Sequence, residues 1–79
     1  MLDFRLYPNP SDGKVTIEVP KKGVYKIVVT DLQGKVIYSE KQLLSLSFEL
    51  EFEFAKGNYI ITLIDENGQV GSKQMEVVN

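Results

Sequence analysis

The sequence contains neither cysteine nor histidine. Without them it lacks the commonest thiol nucleophile, the commonest general base near neutral pH and the preferred ligands of zinc, so most hydrolytic and redox mechanisms drop out together. No disulfide can help it fold, and chains as short as these 79 residues hold only about 3–5 kcal/mol in reserve. Absent cysteine fits the cytoplasm and an exported bacterial domain equally well, which leaves compartment open on redox grounds. No apolar run approaches the roughly 20 residues that a spanning helix needs, and Met1-Leu2-Asp3-Phe4-Arg5 lacks the basic-then-apolar order of an export signal. Met1 therefore reads as a start placed at a domain boundary. Basic charge is also scarce: the net charge is −2 and the lysines are scattered, so nucleic acid would find no electropositive footprint. A phosphate-cradling glycine loop is missing, and the central proline of Asn9-Pro10-Ser11 disqualifies it as a glycosylation acceptor. No cofactor is expected.

What is present is a strand pattern. Apolar residues are 43% of the chain and charged residues 25%, a globular balance, and the length allows one apolar interior, hence a single domain over residues 1–79. Apolar and polar residues alternate, with Gly, Pro, Asn or Asp recurring every 8 to 12 residues or so, as in a sandwich or barrel. In the segment Leu46 to Phe54 the two faces separate fully, Phe48, Leu50, Phe52 and Phe54 on one side and Glu49, Glu51 and Glu53 on the other. The pattern predicts seven strands near 3–7, 14–19, 23–30, 35–42, 46–53, 58–64 and 70–78. The fold class is all-β, an immunoglobulin-like sandwich of about seven antiparallel strands.

Turn chemistry supports this reading. In Pro8-Asn9-Pro10-Ser11-Asp12-Gly13 two prolines fix φ and Gly13 permits φ > 0, which predicts a rigid corner. Asp31-Leu32-Gln33-Gly34 and Asp65-Glu66-Asn67-Gly68 both read as hairpin turns. They belong to a longer echo in which Gly23, Tyr25, Asp31, Gly34 and Val36 return as Gly57, Tyr59, Asp65, Gly68 and Val70, each 34 residues on. Strand alternation excludes helical repeats of that period, leaving two similar hairpins, expected in opposite sheets. Tyr59 stands where a tyrosine corner turns its hydroxyl back onto upstream backbone. The glutamate row reads as a solvated face that discourages edge pairing, ahead of an acidic binding strip or a paired-carboxylate centre. The Asp65 turn lacks the flanking helices and terminal bidentate Glu of a calcium loop.

Taken in order, Leu6-Tyr7-Pro8-Asn9-Pro10-Ser11-Asp12-Gly13-Lys14, Val29-Thr30-Asp31-Leu32-Gln33-Gly34-Lys35-Val36, Gly57-Asn58-Tyr59-Ile60-Ile61 and Lys73-Gln74-Met75-Glu76-Val77-Val78 resemble the C-terminal sorting domain of the bacterial type IX secretion system. The resemblance covers essentially the whole chain, and the proline corner is its most specific part. It implies an address label attached to an upstream passenger and read by the translocon and outer-membrane shuttle during export to the cell surface or extracellular space. It also implies removal by a sortase-like peptidase, with residues 1–3 bordering the cut and the passenger joined to a surface lipopolysaccharide. Position by position, Pro8, Asn9, Pro10 and Gly13 match the first motif, Asp31 and Gly34 the second, and Gly57, Tyr59, Lys73, Gln74, Met75, Glu76, Val77 and Val78 the last. Most of these also suit turns, so the terminal strand with Lys73 and the edge it exposes is the expected recognition surface. Phe54-Ala55-Lys56 and the ending Val78-Asn79 depart from the family pattern.

The chain is thus expected to be a secretion signal, monomeric and without catalysis of its own. The alternatives are a carbohydrate-binding or adhesive module, which would need exposed aromatics, and a self-associating spacer. Most of Tyr7, Tyr25, Tyr38 and Tyr59 are expected at inward or corner positions, which would leave no obvious aromatic platform.

Overall fold

Alternation of side chains is converted directly into two stacked layers. The structure, a computed structural model, describes residues 2–10 and 12–78. Met1, Ser11 of the proline corner and the terminal Asn79 lie outside the described residues. Among the described residues seven strands follow one another: β1 Arg5–Tyr7, β2 Lys14–Glu18, β3 Gly23–Asp31, β4 Val36–Leu44, β5 Ser47–Glu51, β6 Gly57–Ile64 and β7 Val70–Val77. Every pairing between them is antiparallel. They form a three-stranded sheet in the order β1-β2-β5 and a four-stranded sheet in the order β4-β3-β6-β7. The fourth strand joins the third, whereas in constant-type immunoglobulin domains it lies in the sheet of the first, second and fifth.

The inward positions of both sheets interdigitate into a single core. Val15 and Ile17 of β2 and Leu50 of β5 face Tyr25, Ile27, Val29, Ile61, Leu63, Met75 and Val77, all buried, with Leu2 and Phe4 closing one flank. At roughly 1.5–3 kcal/mol for each large apolar side chain taken from water, this layer supplies the main driving force of folding. The outer face of the smaller sheet is charged. Arg5 lies 3.6 Å from Glu18 and Lys14 lies 3.8 Å from Glu49, so the glutamate row is interleaved with cations and stays in solvent. Regular pairing in β5 ends at Glu51. Beyond it Phe52 donates its backbone N–H to the Gly13 carbonyl at 2.9 Å, and the Phe52 and Phe54 rings stack at 4.7 Å against the core.

The two echoing hairpins lie in one sheet, not in opposite sheets as their spacing suggested. Their first strands, β3 and β6, pair with each other in register from Lys26–Ile64 to Asp31–Tyr59. Both strands present unbroken β-branched and aliphatic runs, and side-by-side pairing buries both runs at the centre of one sheet while β4 and β7 take its edges. The two turns are built alike. Asp31 Oδ1 accepts the N–H groups of Gln33 and Lys35, each at 2.9 Å, and Asp65 Oδ1 accepts those of Asn67 and Gln69 at 2.9 and 2.8 Å. Gly34 and Gly68 close them at φ of 89° and 79°, a region that favours glycine.

Candidate functional site

Sheet register brings most of the motif residues to one end of the molecule. Asp31 pairs with Tyr59, Tyr59 with Met75, Asn58 with Glu76 and Gly57 with Val77, so the Asp31–Gly34 turn, the start of β6 and the end of β7 share that end. The proline corner joins them through a side chain. Asn9 Nδ2 donates to the Gln74 carbonyl at 2.9 Å, and the Glu76 N–H donates to Asn9 Oδ1 at 3.0 Å. Pro8 and Pro10, both preceded by cis peptide bonds, flank Asn9. With Asn58, Gln74 and Glu76, Asn9 and Pro10 line a shallow depression, across which Gln74 Nε2 donates to Asn58 Oδ1 at 3.3 Å.

The tail motif divides by strand alternation. Met75 and Val77 are wholly buried core residues, while Gln74, Glu76 and Val78 face solvent. Lys73 sits opposite Ile61 but reaches past the core, its Nζ 5.7 Å from the centroid of the Phe4 ring, within the range where ring and cation attract. Gly13 and Asp31 remain turn residues, and Gly57, at φ 153°, begins β6. The Tyr59 hydroxyl donates to the Ala55 carbonyl at 2.5 Å, the corner that its position predicted, and its ring packs 5.3 Å from Phe54.

The edge of β7 is not simply exposed. The Leu2 N–H donates to the Val70 carbonyl at 3.2 Å, and the Leu2 carbonyl rests on Gly71 so closely that an added Cβ would overlap it. Together with Asn9 this occupies the edge at two places. Sequence reasoning passed over Gly71, although an isolated glycine within a strand signals close backbone approach. Tyr25 was also missed as a corner: its hydroxyl donates to the Lys21 carbonyl at 2.7 Å, as its match to Tyr59 in the echo could have indicated.

Tyr7 is an exception to the inward or corner placement expected of most of the tyrosines. It is 42% exposed and donates to Glu18 Oε2 at 2.7 Å; that bond to a carboxylate, then burial and the Glu18 charge, raises the hydroxyl above its ordinary pKa of 10.0. Half-buried Tyr38 donates to Glu40 Oε2 at 2.8 Å. Among the described residues no group of three or more acids, histidines or cysteines converges as a metal cage would, and no helix is long and apolar enough to cross a membrane.

A family model described as the secretion system C-terminal sorting domain matches residues 5–77. No curated protein matches the chain. Among solved structures, CopC from Methylosinus trichosporium OB3b is similar at 17% identity and a TM-score of 0.56, covering 95% of this chain and 91% of that one. That likeness concerns the sandwich fold alone. The β-glucosidase from Listeria innocua in complex with glucose aligns at 15% identity and a TM-score of 0.49, covering all of this chain and 16% of that one.

Proposed function

The chain belongs to the secretion system C-terminal sorting domain family, and from that membership we propose that residues 1–79 act as one type IX sorting domain, handled by export machinery and performing no reaction of their own. The observation that carries this reading is the family match over residues 5–77. A passenger is attached upstream, and the translocon and outer-membrane shuttle deliver it to the cell surface or beyond. A sortase-like peptidase then removes the domain close to residues 1–3, releasing the passenger or joining it to a surface lipopolysaccharide. The domain acts as a monomer.

Division of labour within the motifs follows from packing. Pro8, Pro10, Gly13, Asp31, Gly34, Gly57 and Tyr59 shape corners and turns, and Met75 and Val77 anchor β7 in the core. The solvent-facing part of the tail, Lys73, Gln74, Glu76 and Val78, is what a partner would read. Fusing residues 2–79 to a neutral reporter that carries its own export signal, in a type IX-competent cell, tests the proposal: the reporter should reach the surface or medium, and one trapped in the periplasm would refute it.

A further inference from the structure

In an antiparallel ladder alternate residues turn their backbone groups to opposite neighbours. Val70, Gln74 and Glu76 are all bonded on the side away from β6, so the even-numbered residues of β7 face the open side of the sheet. What occupies that side imitates a strand. The Asn9 amide offers one donor to the Gln74 carbonyl and one acceptor to the Glu76 N–H, as a single residue of a parallel neighbour opposite Met75 would. Leu2 lies in the same sense opposite Gly71, its N–H on the Val70 carbonyl and its own carbonyl against Gly71. Between these points the chain leaves for the other sheet as β1, so the edge is clipped at two places without being covered by a strand. At the far edge of the sheet, β4 is interrupted by a register shift between Val29 and Thr30, a device that blunts edge pairing.

Resting on the sorting reading above, we propose that the open edge of β7 is where an extended strand of the export machinery docks in parallel by main-chain hydrogen bonds, displacing the Leu2 and Asn9 contacts. Those contacts are an internal occupant that keeps the edge closed until the partner arrives. Recognition is then of backbone first, with Lys73 on one side of the added strand and Gln74 and Glu76 on the other setting selectivity.

The test compares four full-length chains as reporter fusions: the unaltered chain, Gln74→Pro, Lys41→Pro and Asn9→Ala. Gln74→Pro removes an outward N–H and places a ring where the added strand would lie, while sparing the bonds to β6. Lys41 is its counterpart on β4, since Lys26 pairs with Lys41 as Ile60 pairs with Gln74. Gln74→Pro should stay folded and lose export at least tenfold, Lys41→Pro should export as the unaltered chain does, and Asn9→Ala should speed hydrogen exchange at the Glu76 amide at least tenfold and raise the export rate. Undiminished export of Gln74→Pro, or loss of export by Lys41→Pro alone, overturns the inference. Should Gln74→Pro fail to fold, Asn9→Ala decides, since slower export or unchanged Glu76 exchange overturns it too. An unaltered fusion trapped in the periplasm refutes the sorting reading itself, whereas export of both the unaltered chain and Gln74→Pro refutes only the docking edge.

Discussion

Val28 on β3 is the register partner of Thr62 on β6, and each is the other's counterpart in the 34-residue echo. The pair therefore lies on a local two-fold axis through the larger sheet. Rotation about it exchanges β3 with β6 and β4 with β7, and it carries the Tyr25 corner and Asp65 turn onto the Tyr59 corner and Asp31 turn. The symmetry is broken at the edges, where β7 is regular and clipped by Leu2 and Asn9 while β4 is shifted by its bulge.

Equivalent corners should cost equivalent amounts. Tyr25→Phe and Tyr59→Phe each remove one hydroxyl bond to a backbone carbonyl four residues upstream, worth about 1 kcal/mol. Each should lower the melting temperature by roughly 4–8 °C, with the double variant close to additive. A melting curve for either variant that overlays the unaltered one would deny the corner its structural role.

The two aspartate turns predict a larger loss. Asp31 and Asp65 each hold two backbone N–H groups on one oxygen, so Asp31→Ala or Asp65→Ala should cost about 1–2 kcal/mol. Asn, which keeps the accepting oxygen, should recover much of it. Urea denaturation with an unchanged m-value checks both variants.

One residue should be improvable. Leu46 links β4 to β5 at φ 80° and is 55% exposed, a left-handed conformation that costs a leucine about 1–2 kcal/mol. Its backbone is held there because its carbonyl accepts the Val19 N–H at 2.8 Å. Leu46→Asn should therefore raise stability by about 1 kcal/mol, read as a higher urea midpoint.

Gly71→Ala should do the reverse. Its Cβ would overlap the Leu2 carbonyl, forcing the segment off the sheet and exposing buried Leu2 and Phe4, at a cost of about 2–4 kcal/mol. Amide exchange should rise first along β7, and uniform protection in the variant would contradict the close approach.

Alkaline pH should weaken the fold. Burial, followed by the Asp65 charge, raises the Tyr25 hydroxyl above its ordinary 10.0; burial and the Glu40 bond raise Tyr38, and the Glu18 bond raises Tyr7. A group that holds its proton more tightly when folded contributes fully below its unfolded pKa and loses that contribution as pH climbs through the folded value. These three groups should leave the urea midpoint flat up to about pH 9 and pull it down above about pH 10. Tyr38→Phe should flatten the alkaline limb.

Particular residues separate what local pattern determined from what packing decided. Alternation over Val15, Ile17, Tyr25, Ile27, Ile61 and Leu63 assigned inward faces, and Asp31, Gly34, Asp65 and Gly68 placed turns, because both depend on neighbours within a few residues in the chain. Asn9 reads locally as part of a proline corner, yet its amide serves a strand 65 residues away. Likewise the two hairpins carry no local mark of which sheet they join, and Tyr7 ended exposed because the outer face of a three-stranded sheet has nothing to cover it. Side-chain period, turn type and the lack of cysteine and histidine are thus properties of the sequence itself. Sheet partnership, the symmetric pairing of Val28 with Thr62 and the closing of the β7 edge belong to the tertiary structure, since hydrogen bonds between strands are satisfied equally well by many partners and only simultaneous burial of all inward faces selects among them.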